Sequence, residues 1–121
     1  MKANEMENRL NLLCEAGVID RDICSGMLKV VQRLDKEWQL PVYSEQGAMA
    51  VTHMASALMR SRRGEVIEPL DGDLLQEIRL SSIWSQVHQA HCALLQEFAV
   101  TVHENEEGYL LANLYGLWMA D

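Results

Sequence analysis

Proline is scarce in this chain: only Pro41 and Pro69 occur among 121 residues. Few positions therefore forbid helix. No segment alternates apolar and polar residues between turn signals, which argues against a sheet. Basic residues are the minority charge, 10 Lys and Arg against 18 Asp and Glu, for a formal net charge of −8. Contact with nucleic acid needs a basic face to neutralise phosphates, and anionic membranes ask the same. The acidity argues against both partners. Cysteine is limited to Cys14, Cys24 and Cys92, an odd, scattered set without a CxxC. That pattern points to reduced thiols in a cytoplasmic protein rather than a disulfide framework.

Other absences narrow the function. The N-terminus, MKANEMENRL, has no signal-peptide core. The longest nearly apolar run, YLLANLYGLWMA at 109–120, is too short to span a bilayer. No phosphate loop, dinucleotide fingerprint or nucleophile elbow is present. No pair of carboxylates demands an acid/base reading. The expectation is a protein that is not an enzyme and holds no cofactor.

Apolar residues make up 49% of the chain, enough for one compact core. Gly17 suits the end of a first helix, ENRLNLLCEA. Asp20 can cap a second, RDICSGMLKVVQRLDKEWQ, in which Ile23, Met27, Val30, Val31, Leu34 and Trp38 recur at helical spacing. LPVYSEQG breaks it, and Ser44 can cap a third helix running to about Arg62. RGEVIEPLDGD reads as a loop. The stretch 73–102 reads as helical, bent or broken near Ser81 and Ser82. HENEEG then separates it from a last helix, roughly Glu106 to Met119. The expected fold is all-α, a bundle of five or six helices. Residues 1–19 form an N-terminal helical extension and 20–121 the main domain, in one compact unit.

The third helix carries the pattern with the most chemistry in it. On a wheel of roughly 100° per residue, Ala50, Val51, Met54, Ala57 and Leu58 form an apolar face. A narrow polar stripe holds Glu45, Met49, His53, Ser56, Arg60 and Arg63. A histidine on such a stripe is reachable from solvent while its backbone is held rigid. Neutral imidazole is a nucleophile and proton carrier near neutral pH, and arginine's planar fork suits phosphate oxygens. The plainer reading is a histidine bonded to a neighbouring helix, with solvated arginines at a helix C-terminus. In the last helix Asn113 lies among Tyr109, Leu110, Leu111, Leu114, Leu117 and Trp118. A buried amide there needs partners, either structural ones or a polar site shared with His53. His88, His91 and Cys92 lie near one helix face and are weak metal candidates that lack a fourth ligand; the plainer reading is ordinary helix surface with a core cysteine. His103 reads as a helix-end or loop residue.

Three pieces in order, THMASALMR (52–60), LLQEIR (74–79) and NEEGYLLAN (105–113), resemble the PTS regulation domain, or PRD. With the helices they cover about residues 20 to 118. The resemblance implies a five-helix bundle that forms a symmetric homodimer. It also implies a histidine phosphorylated by the sugar phosphotransferase system, through HPr or a sugar-specific B component, so that gene expression shifts through a regulator. On this chain His53 matches the family's first phosphorylatable histidine, and Arg60 the arginine that follows it. Arg63 and Asn113 would line the phosphate's surroundings. The second histidine position of the family falls on Asn113, and Thr52 stands where aspartate is common. No RNA-binding segment, DNA-binding module or second copy accompanies the domain. The resemblance thus implies a single regulatory module; the competing reading is a helical interaction module without switch chemistry.

Overall fold

The computed structural model describes residues 1–120; Asp121, the last residue of the expected domain, lies outside them. Among the described residues the fold is all-α, with six helices and no strand: α1 Ala3–Glu15, α2 Arg21–Lys36, α3 Glu45–Arg62, α4 Gly72–Arg79, α5 Trp84–Leu95 and α6 Glu104–Met119. Helix α6 is the hub, packed against α3, α4 and α5; α2 lies on the other flank of α3, and α1 lies on α2. No helix among the described residues is long and apolar enough to cross a membrane.

The core follows from helical periodicity. Ile23, Met27, Val30 and Leu34 of α2 face Val51, Met54 and Leu58 of α3, and Leu110, Leu114 and Leu117 of α6 join the same cluster. Met6 and Leu10 of α1 are each 1% exposed within it, so residues 1–19 share the core of the rest.

Local signals explain most of the boundaries. Gly17 takes the left-handed conformation after α1, at φ 77°, where glycine has no Cβ penalty. Ser44 opens α3: its hydroxyl accepts from the Gly47 amide at 3.1 Å and donates to the Pro41 carbonyl at 2.6 Å. Gly47 is required for a second reason, because a Cβ there would collide with the Val42 backbone.

Four expectations need correction. Asp20 occupies the N-cap position of α2 but makes no capping bond; its carboxylate pairs with Arg62 instead, at 2.7 Å. α2 stops at Lys36 rather than Gln39, which turns left-handed at φ 54°. The helical stretch breaks at 80–83 as expected, where the Ser81 hydroxyl accepts from Ile83 N at 3.2 Å, but it ends at Leu95 rather than at 102. Tight i→i−3 bonds from Gln96, Glu97 and Phe98 close it, and Phe98 turns onto Gly26. The β-branched run Val100, Thr101 and Val102 then disfavours further helix. Finally, HENEEG opens α6 rather than preceding it. His103 is the N-cap, with Nδ1 accepting from Asn105 N at 3.0 Å. Glu104, Glu106 and Glu107 fill the first turn, where the helix dipole favours carboxylates.

Candidate functional site

The polar stripe of α3 faces the N-terminal half of α6, and the two helices enclose a surface groove. His53, Ser56 and Arg60 line one wall and Glu106, Tyr109 and Leu110 the other, with Ile67 of the 63–71 connection at its end. That connection is held in place by Asn105, whose Nδ2 donates to the Ile67 carbonyl at 2.9 Å. Ser61 ties the same end of α3 to the start of α6 by accepting from His103 N at 3.2 Å.

His53 is exposed at the groove, on a helix whose opposite face is buried. Its Nδ1 lies 3.0 Å from Asn113 Nδ2. That same amide nitrogen donates to the Tyr109 carbonyl, also at 3.0 Å. The two residues are 60 positions apart in sequence, so only the α3–α6 packing brings them together. Asn113 is half-buried rather than buried. It also borders a small cavity of about 30 Å³, otherwise lined chiefly by aliphatic side chains and by His91.

Arg60 is differently placed from what the stripe alone implies. Its Nε and Nη2 grip Glu106 as a fork, at 2.7 and 3.0 Å, and Glu106 is 1% exposed. Hydrogen bonds to this carboxylate push the Arg60 guanidinium above its ordinary value. A buried carboxylate left without its cation is costly, so Arg60 is held on Glu106 rather than free beside His53. Arg63 pairs with Glu65 beyond the helix end. Arg62 reaches across to α2, binding Asp20 and Asp22, with Asp22 Oδ2 at 2.6 Å. Its fork lowers the Asp22 carboxyl to about 2. Arg60 and Arg63 thus carry one carboxylate each and Arg62 two, and the run is not an open basic patch.

The structure divides the other candidates. His91 points inward at 5% exposure, and His88 and Cys92 lie outside. His88 stacks on Trp84 at 5.0 Å, and its Nε2 is 3.7 Å from Cys92 Sγ. His91 Nε2 lies 3.7 Å from Glu107 and has no hydrogen-bond partner. Burial lowers the His91 titration below its ordinary value, against the opposing pull of Glu107. Among the described residues no three His, Cys, Asp or Glu side chains converge in a way that suits a metal ion.

Sequence reasoning placed His53 and Asn113 in one polar site as one of two options, and the structure brings them into contact. It missed Glu106. The only hint in the chain was position, a glutamate on the first turn of α6, since its partner is 46 residues away.

The site is thus an exposed imidazole beside a neighbouring amide, in a groove between two helices of an all-α fold. The chain belongs to the family of YhfY, an uncharacterized protein of Escherichia coli (strain K12). The two are 70% identical over 115 residues, which is 95% of this chain and 96% of YhfY. It is also similar to an uncharacterized protein of Haemophilus influenzae (strain ATCC 51907 / DSM 11121 / KW20 / Rd). There the identity is 30% over 99 residues, or 82% of this chain and 79% of the other. No protein-family model matches the chain, and no solved structure matches it.

Proposed function

We propose that the protein is a regulatory module of the sugar phosphotransferase system, a PRD-like domain that accepts a phosphoryl group on His53. It acts on transcription or on a sugar-uptake operon through a partner protein, as a homodimer, with HPr or a sugar-specific B component as donor. The observation that carries this reading is the placement of His53. Its imidazole is exposed on a helix that is packed on its other side, in a groove open to a second protein. A phosphohistidine there would bring about −2 of charge to a groove lined by the paired Arg60 and Glu106. A local charge of that size acts through the α3–α6 pairing on whatever surface those helices present.

The test is phosphotransfer. The protein is incubated with phosphoenolpyruvate, enzyme I and HPr, and separately with the sugar-specific B components of the same organism, and intact mass is read. The expected result is one acid-labile phosphoryl group, absent from His53→Ala. That variant should keep its fold and lose less than about 0.5 kcal/mol of stability, as exposed positions do. No addition from any donor would refute the reading.

A second reading is favoured by a specific observation. Asn113 occupies the Nδ1 side of His53, and Arg60 is committed to Glu106. Both arrangements suit a helical interaction module whose histidine chemistry is silent. Such a module would bind its partner equally well with His53→Ala.

A further inference from the structure

The hydrogen bonds at Asn113 fix more than its position. The Tyr109 carbonyl oxygen can only accept, so the Asn113 atom 3.0 Å from it must be the NH₂ rather than the amide oxygen. The orientation of the amide is therefore set by the backbone of its own helix. That NH₂ has two hydrogens. One goes to Tyr109, and the other faces His53 Nδ1, also at 3.0 Å. An amide NH₂ offers no lone pair, so Nδ1 must accept. A neutral imidazole has one donor and one acceptor nitrogen, and the proton of His53 therefore sits on Nε2.

We infer that Asn113 holds His53 as the Nε2–H tautomer and so closes it to phosphoryl transfer until the amide moves aside. The consequence for transfer rests on the phosphoryl-acceptor reading above; the place of the proton does not. The nitrogen that bears the lone pair, Nδ1, is covered by the amide. The nitrogen turned from the amide, Nε2, carries a hydrogen. Attack by Nε2 needs the proton on Nδ1 first. The Nε2 lone pair then forms the new N–P bond with the phosphohistidine of a donor protein. The donor's own N–P bond breaks, and its electron pair returns to the donor nitrogen. With the proton on Nδ1, two N–H groups would point at each other across 3.0 Å, so Asn113 must be displaced. Asn113 is thus a positioning residue: it sets which nitrogen of His53 is reactive. Its place on α6 puts that control under whatever shifts α6 against α3.

An acceptor in place of the donor inverts the arrangement. In Asn113→Asp the carboxylate has no hydrogen for the Tyr109 carbonyl; turned from that oxygen towards Nδ1, it draws the proton there, which frees the Nε2 lone pair. Exchanges between carboxylate and amide beside a working histidine change rates by up to about 10⁴ through the tautomer.

The experiment uses the full chain labelled with ¹⁵N, with the His53 ring nitrogens read by long-range ¹H–¹⁵N correlation. The wild type should show Nε2–H and an acceptor Nδ1. Asn113→Asp should shift the proton to Nδ1. Asn113→Ala, which leaves the ring free and adds no charge, should show both forms in exchange and controls for the fold. Asn113→Asp is the deciding variant, because a free imidazole also favours Nε2–H. Phosphorylation by HPr should be about tenfold faster, or more, in Asn113→Asp than in the wild type. A wild type with Nδ1–H, or no shift of the proton in Asn113→Asp, would overturn the inference. So would a shifted proton with an unchanged transfer rate. A shifted proton with no transfer to any variant would sustain Asn113's hold on the ring and refute the phosphoryl-acceptor reading instead.

Discussion

Arg60 and Glu106 illustrate how a residue's surroundings decide its role. Glu106 is 1% exposed, and the side chain of Arg60 is 30% exposed. Removing the cation strands a buried charge, whereas neutralising the carboxylate leaves an arginine that can turn to solvent. Arg60→Ala should therefore cost about 3 kcal/mol, and Glu106→Gln clearly less. Urea midpoints with unchanged slopes would check the order; equal losses would mean that the pair is not organised by burial. This residue-scale result was only half legible in the sequence. The helical wheel placed His53 and Arg60 on one stripe, because periodicity within one helix is local. The partner of each lies on α6, 60 and 46 residues away, and no spacing rule reports on that. Asn113 was legible as a polar residue in an apolar setting, and a site shared with His53 was one of the two options that this raised.

At the scale of elements, caps and breakers were read correctly where the signal is local. Ser44 caps α3 and Gly17 ends α1 as their chemistry dictates. The misreadings fall where a distant residue competes. Asp20 would cap α2, but Arg62 takes its carboxylate. The helix expected to continue past Leu95 yields to the packing of Phe98 on Gly26. The first effect is tertiary and overrides local propensity; the second adds to the β-branched run at 100–102. The same close approaches give a sharp prediction at Gly47. Because its missing Cβ is filled by the Val42 backbone, which cannot rotate away as a side chain can, Gly47→Ala should destabilise by about 3 kcal/mol or more. Gly72→Ala, where open space surrounds the added methyl, should lie within about 0.5 kcal/mol of wild type. Comparable thermal midpoints for the two variants would contradict the account of the α3 entry.

For the molecule as a whole, the buried and paired titratable groups set how stability depends on pH. Burial keeps His91 below its ordinary value of 6.5, so as pH falls the unfolded chain takes up that proton first. Its contribution is full above about 6.5 and declines below. Asp22 has its carboxyl lowered from 3.8 to about 2 by the hydrogen bond from Arg62. That contribution is full above the unfolded value and is lost as pH falls from about 4 towards 2. Denaturant titrations across pH should show two declines. His91→Gln should flatten the upper one and Asp22→Asn the lower, and the lower should also weaken with salt because that pair is at the surface. A single decline unaffected by His91→Gln would show that His91 takes up its proton equally readily in the folded and the unfolded chain.

The central claim concerns one histidine out of four, and the chain lends itself to a direct mapping. Trypsin releases residues 37–60 with His53 as the only histidine, and residues 80–121 with His88, His91 and His103. The protein phosphorylated by HPr or a sugar-specific B component is digested at alkaline pH, where phosphohistidine survives, and the peptides are weighed. The account predicts that the phosphoryl group resides on 37–60 alone. A phosphoryl group on 80–121, or on neither peptide, would contradict it.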